Sequence, residues 1–254
     1  MMLEQWIKMN GSELYQKSHI RANILECIDW SDQWSVLEVS GQEGAVTGAL
    51  ASKTKKVTSL IRNTEECNQN RFQNAQYQNI EYIQKNMRSA MAGLDETYDV
   101  MVSVTPCGLS LDDLLVYAEK LVKAGGKFLF ACDNRLGLKY LAGCQREPDG
   151  GYFSGIQGED GERLYLRKEL QTKMEKVKER WEHALFYPYP DQYYPMSIYS
   201  DQYLPKMGEL NSNGIISEHA RLILFNEEKA YDTILKEELY GEMANAFLLV
   251  MTRR

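Results

Sequence analysis

Glu38 closes a short apolar run, Val36-Leu37-Glu38-Val39, and is followed by Ser40-Gly41-Gln42-Glu43-Gly44 and then by small and apolar residues at helical spacing through Leu50. An acid, a glycine-bearing turn and a helix start form a strand-loop-helix unit, the opening of a nucleotide-binding α/β domain. Ligands of open parallel sheets meet the carboxyl ends of the strands, where glycine leaves room for a ligand to approach the backbone. No other constellation competes with it. His19, His183 and His219 are scattered, without a second ligand type at metal-binding spacing, and no Ser/His/Asp or Cys/His set is readable. A P-loop is absent, as is the dinucleotide fingerprint G-x-G-x-x-G at the first turn. The sequence singles out no catalytic residue.

Glu38 with its loop, and Gly44-Ala45-Val46-Thr47-Gly48 after it, resembles the first motif of class I S-adenosylmethionine-dependent methyltransferases, in which an acid, three spaced glycines and a helix start cradle the cofactor. At the three glycine positions this chain has Ser40, Gln42 and Gly44, with Gly41 one place off. A side chain where positive φ is needed costs about 1–2 kcal/mol, and its Cβ takes space meant for ligand. In that family an acid ends the second strand and takes both ribose hydroxyls. Ile61 stands there, with Glu65 and Glu66 opening the next helix. Losing charge-assisted hydrogen bonds worth roughly 1.5–3 kcal/mol implies ~10- to 100-fold weaker binding. Asn86 matches the position that contacts the adenine amine, with Met87 beside it, and Ser103 lies near the end of the fourth strand. The resemblance implies S-adenosylmethionine as cofactor, weakened or lost, and Glu38, Ser40, Gly41, Gln42, Gly44, Ile61, Asn86, Met87 and Ser103 as its site.

The elements that position these residues follow in order. Glu13 to Asp29 is expected to be a helix, Lys56 to Ile61 a second strand, and Glu65 to Tyr77 a helix whose Asn68, Gln69, Asn70, Gln73, Asn74 and Gln76 form a solvated face. Asn79 to Ile83 and Tyr98 to Val104 read as strands. Leu109 to Lys123 is the best helix, ended by Gly125-Gly126 before a buried strand from Lys127 to Cys132. A charged helix follows from Arg167 to Arg180, then a sixth strand from Trp181 to Tyr187. A helix from Glu227 to Leu239 and a strand from Asn245 to Thr252 close the chain. The expected architecture is a Rossmann-like methyltransferase fold: a seven-stranded, mostly parallel sheet with helices on both faces, and the last strand antiparallel between the fifth and sixth. A single domain is expected over 1–254, with an N-terminal helical segment at 1–33, a cofactor-binding half at 34–134, and a C-terminal half at 135–254 that carries insertions at 144–163 and 188–226.

The second half narrows the resemblance. The stretch from Asp133 to Gly143, and the words Phe186-Tyr187-Pro188-Tyr189-Pro190-Asp191, Ile198-Tyr199-Ser200-Asp201 and Tyr203-Leu204-Pro205, are similar to a bacterial methyltransferase subgroup associated with surface-polysaccharide glycosyltransferases. That likeness implies a small-molecule or sugar acceptor. Its candidate contacts are Asn134, Arg135, Tyr187, Tyr189, Asp191 and Tyr199, since tyrosines with polar tips suit sugars. Two roles stay open for the Tyr/Pro-rich excursion: a substrate surface or lid, and a partner surface. Capping of the next turn would also explain Asn134.

A formal charge of −7 and a pI near 5.2 argue against a nucleic-acid partner, which needs a basic surface. Five widely spaced cysteines without a C-x-x-C suggest neither disulfide framework nor zinc site, in keeping with the cytoplasm. No apolar run is long enough to span a bilayer. Two functions follow. One is a methyltransferase acting on a sugar or polysaccharide precursor. The alternative is an inactive pseudo-methyltransferase, an interaction or assembly module paired with a second copy or a related chain.

Overall fold

Short apolar runs build the centre of the sheet. In the computed structural model, which describes residues 18–145, 151–153, 156–157, 163–213 and 224–254, β1 (Ser35–Val39), β2 (Lys56–Ile61), β3 (Ile80–Gln84) and β4 (Tyr98–Ser103) pair in parallel in the order β3-β2-β1-β4. Val36 shows why β1 is central: it faces Val57 on one side and Val100 on the other, and all three are fully buried. Strands covered on both faces read as continuous apolar runs, as β1, β2 and β4 do, whereas β3 at the edge has no fully buried residue.

β5 (Val122–Asn134), β6 (Leu164–Tyr165), β7 (Trp181–Tyr189), β8 (Ser197–Ser200) and β9 (Ala246–Arg253) complete nine strands among the described residues. The order continues β5-β9-β7-β8, with β6 pairing β5, so the last strand lies between the fifth and the one from Trp181, as expected. β8 runs antiparallel to β7 at the edge, with Tyr187 opposite Tyr199. The sheet exceeds seven strands because β6 and β8, at two and four residues, are too short to show a period in sequence. No helix among the described residues is long and apolar enough to cross a membrane.

Some boundaries differ from expectation. Residues 13–17 of the expected first helix lie outside the described residues, as does most of the 147–161 loop, and His19–Leu25 is a 3-10 helix. The helix Leu111–Leu121 starts with a capping box between Ser110 and Asp113 and buries Leu111, Leu114, Leu115, Ala118 and Leu121. It stops two residues early because Val122 is already extended opposite Tyr98, after which the ladder slips and Val100 faces Lys127. Gly125, at φ 75°, and Gly126 therefore belong to the irregular start of β5. A Cβ on Gly126 would lie 2.7 Å from the Asp99 carbonyl oxygen and 2.8 Å from Val122 Cγ1. Gly126→Ala is expected to cost about 1–3 kcal/mol by overpacking, read as a lower urea midpoint at unchanged m.

The described chain divides into two compact units. One, here the loop unit, comprises Leu25–Ala131, Gln171–Ala184 and Leu248–Arg254. The other, the tyrosine unit, is chiefly Cys132–Leu170 and Leu185–Phe247. Its core is unusually aromatic: Tyr187, Tyr189, Tyr231 and Tyr240 are buried, with edge-to-face pairs at 5.7 Å (Tyr187–Tyr240) and 6.2 Å (Tyr189–Tyr231).

Candidate functional site

In the loop unit the parallel register sets Glu38 opposite Ser59 of β2 and Val102 of β4. Its side chain is buried, and its carboxylate accepts hydrogen bonds from Ser59 Oγ at 2.6 Å and from Thr47 Oγ1 at 2.8 and 3.0 Å. Burial raises its pKa from 4.5 to about 7, with the Ser59 and Thr47 hydroxyls pulling the other way.

The loop after β1 carries the backbone its sequence implies. Ser40 and Gln42 have φ of 68° and 43°, and Gly44 has 96°. Both strained side chains are engaged by the loop after β4. Ser40 Oγ donates to the Pro106 carbonyl at 2.6 Å, Gln42 Nε2 donates to the same oxygen at 3.4 Å, and Thr105 Oγ1 donates to the Ser40 carbonyl. Strand order reverses between β1 and β4, and ligands of open α/β sheets bind in the crevice at such a switch point. These three bonds cross it.

Asn70 and Asn74 correct the sequence reading of their helix, Thr64–Gln73. They are 0% and 6% exposed rather than solvated. Asn70 Nδ2 donates to the carbonyls of Gly41 and Gln42 at 3.2 and 3.1 Å and to Thr47 Oγ1 at 2.9 Å, while Asn74 Nδ2 donates to Asn70 Oδ1 at 3.0 Å. The pair holds the loop in shape. A Cβ on Gly41 would lie 2.1 Å from Ser59 Oγ and 2.7 Å from Glu38 Oε2, so the protein's own polar cluster requires that glycine. The available signal is spacing: Cys67, Asn70 and Asn74 recur at three and four residues, one helix face, and Cys67 is buried.

The remaining cofactor candidates lie around this cluster on the same strand ends. Ile61 is fully buried at the end of β2, and its carbonyl accepts from the Lys85 amide at 3.0 Å. Glu65 is exposed in the first turn of the next helix. Asn86 caps the helix Met87–Ala92, its Oδ1 accepting from the Arg88 amide at 3.1 Å, and Met87 is buried. Ser103, also buried, has its Oγ 4.0 Å from Cys107 Sγ.

The acceptor candidates belong to the tyrosine unit, where they fall into separate groups. Asn134 is buried and structural in its bonding: Nδ2 donates to the carbonyls of Glu242 and Ala244, each at 2.7 Å, and Oδ1 accepts from the Leu136 amide at 3.0 Å. Arg135 lies 3.9 Å from Glu169. Tyr187 donates its hydroxyl to Asp201, which pairs with Arg167 at 2.8 Å. Tyr189 Oη accepts from the Ser212 amide at 2.7 Å, and the Tyr199 ring stacks on Tyr203 at 6.3 Å. Asp191 stands apart from these, 3.3 Å from Lys139 Nζ, which lies 2.8 Å from Asp133. Burial opposes the Lys139 charge, but Asp133, Tyr140 and Asp191 outweigh it and hold its pKa well above the usual range.

Neither family models nor curated proteins match the sequence. Solved structures do. Phosphoethanolamine N-methyltransferase 1 from Haemonchus contortus, in complex with phosphoethanolamine and S-adenosylhomocysteine, aligns with 96% of this chain at 14% identity and a TM-score of 0.55. The fold is that of a class I methyltransferase. A Listeria monocytogenes protein provisionally assigned as an S-adenosylmethionine dependent methyltransferase aligns with 91% of this chain and 95% of its own at 13% identity and a TM-score of 0.54. This chain spans only 44% of the Haemonchus contortus enzyme's length. Within that fold, Glu38 lies near the end of the first strand and Ser40 to Gly44 form the turn after it.

Proposed function

We propose that this chain binds S-adenosylmethionine weakly at the loop Ser40 to Gly44 and transfers its methyl group to a small acceptor, a sugar or polysaccharide precursor. The observation that carries this reading is the Glu38 carboxylate and glycine loop at the switch between β1 and β4 of a methyltransferase sheet. The residues fit the cofactor at that loop, where the backbone of Ser40 to Gly44 would hold it, with Asn86, Met87 and Ser103 as the further contacts the sequence implies. They lack a carboxylate at Ile61. The cofactor supplies an electrophilic methyl on a sulfonium. The chain has to orient the acceptor in line with it and, for a hydroxyl, hold the departing proton. No described cysteine forms a disulfide, in keeping with work in the reducing cytoplasm.

The pseudo-methyltransferase reading is favoured by a different observation. The Ser40, Gln42 and Thr105 bonds join the two loops that a cofactor would separate, and Ile61 stands where the ribose acid would be. An assembly role would then show as a stable complex with a second copy or a related chain. Incubation with S-adenosylmethionine and a set of hexoses and hexosamines separates the readings. Release of S-adenosylhomocysteine that depends on acceptor supports methyl transfer, and its absence with every acceptor, together with a complex in the measured mass, supports the module.

A further inference from the structure

The Glu38 carboxylate is sealed by the same loop that a cofactor would have to reach. Glu38 is 2% exposed, and Ser59, Thr47 and Asn70 around it are fully buried. Gly41 lies directly on the carboxylate. A Cβ there would fall 2.7 Å from Oε2 and 2.1 Å from Ser59 Oγ, and a water molecule fits no better. Gly41 is tied in that place: its amide donates to the Leu60 carbonyl at 3.0 Å, and its carbonyl accepts from the Gly44 amide at 2.9 Å and from Asn70 Nδ2 at 3.2 Å. Hydrating Glu38 therefore means moving Gly41.

The closed site offers a charge on Glu38 little support. Among the described residues its carboxylate accepts only from the Ser59 and Thr47 hydroxyls and bonds no cation. β2 and β4 set Ser59 and Val102 opposite it, and the helix Thr47–Lys53 presents Thr47. The helix Thr64–Gln73 adds Asn70 and, on the same buried face, Cys67. From β3, Tyr82 feels the Glu38 charge, with the Arg71 guanidinium 4.5 Å from the centre of its ring. Glu43, on the loop itself, is half-buried. Burial raises the Glu38 pKa to about 7.

We propose that Ser40 to Gly44 form a proton-controlled seal over Glu38, closed while the carboxylic acid keeps its proton and opening as it ionises. The loop is the part suited to move. Ser59, Thr47 and Asn70 sit in a strand and two helices, whereas Ser40 and Gln42 hold the loop at φ of 68° and 43° and relax when it opens. The closed form binds the proton more tightly than the open one, in which water reaches the carboxylate. Rising pH therefore draws the proton into solvent and shifts the population toward the open loop. This inference deepens the proposed function, since S-adenosylmethionine would meet the same backbone. It rests on that reading only for the effect on cofactor affinity.

The test is amide hydrogen exchange on the whole chain without cofactor, from about pH 5 to about pH 8, the span over which Glu38 loses its proton. Protection factors are read at Gly41 and Gly44, whose amides are hydrogen-bonded in the closed loop. Protection there is expected to lie below that of β4, where Met101 is fully buried, and to fall at least about tenfold across the range. Glu38→Gln removes the titration and is expected to hold the protection level, while Glu43→Gln keeps the fall. Constant protection in the wild type, equal protection of the loop and β4, the same fall in Glu38→Gln, or its loss in Glu43→Gln would overturn the seal. Titration with S-adenosylmethionine at the two ends of the range is read separately, with about tenfold tighter binding expected at the upper end. A loop that responds to pH in a chain that binds no cofactor keeps the seal and removes the cofactor reading instead.

Discussion

Replacing Asn70 by leucine is expected to remove about 3–5 kcal/mol of unfolding free energy, although leucine has the same branched outline and asparagine on a helix looks dispensable. The amide nitrogen serves three acceptors, the Gly41 and Gln42 carbonyls and Thr47 Oγ1, and the side chain is fully buried. Each net hydrogen bond contributes roughly 1 kcal/mol, and each buried acceptor left unmet costs about 1–3 kcal/mol more. Removing the donor also frees the strained loop that Ser40 and Gln42 hold at positive φ. Urea unfolding measures the loss. Asn68→Leu on the exposed face of the same helix is the control, expected within about 0.5 kcal/mol of wild type. If the two variants unfold alike, the loop is not held by Asn70.

Glu38 should make stability fall as pH rises, the reverse of the usual behaviour of a paired carboxylate. Its folded pKa is about 7, against 4.5 when unfolded. Below pH 4.5 both states hold the proton. Between 4.5 and about 7 the unfolded chain releases it while the folded chain keeps it, so the folded state binds more protons and unfolding free energy declines with pH. Above about 7 the decline is complete. A span from 4.5 to about 7, at ~1.4 kcal/mol per pH unit, gives roughly 3 kcal/mol. Glu38→Gln removes the titration and should keep the geometry, because the Ser59 and Thr47 hydroxyls can turn to suit an amide. Relative to wild type, the variant is therefore expected to gain about 3 kcal/mol between pH 4 and pH 8 in urea melts. Parallel curves for the two proteins across that range would show that burial does not hold the proton on Glu38.

Those two residues differ in how far the sequence discloses them. Glu38 is legible because a single acid closing an apolar strand before a glycine turn has few other readings, and β2 runs over the residues its apolar pattern marks. The strain at Ser40 and Gln42 is legible too, since the motif needs glycine there. Asn70 and Asn74 are not: polar residues on a helix read as solvated unless the face they share is known, and their partners are carbonyl groups about thirty residues away in the chain. The same limit applies to Asp133, Lys139 and Asp191, where the second acid is 52 residues from the lysine. Tyrosines present a further case. Composition gives Tyr187, Tyr189 and Tyr199 polar tips and large faces but not orientation, and all three rings are largely buried among other rings.

Calorimetric titration of S-adenosylmethionine into the wild-type chain and into the double variant Ser40→Gly with Gln42→Gly tests cofactor binding at this loop most directly. The variant removes both side chains from positive φ and both bonds to the Pro106 carbonyl. Two bonds that opening the loop would break, at roughly 0.5–1.5 kcal/mol net each, are absent from the variant, which converts to roughly tenfold. The expected result is weak, saturable binding by the wild type and about tenfold tighter binding by the variant. No saturable heat from either protein at millimolar cofactor would contradict cofactor binding here and leave the methyltransferase fold serving as an interaction module.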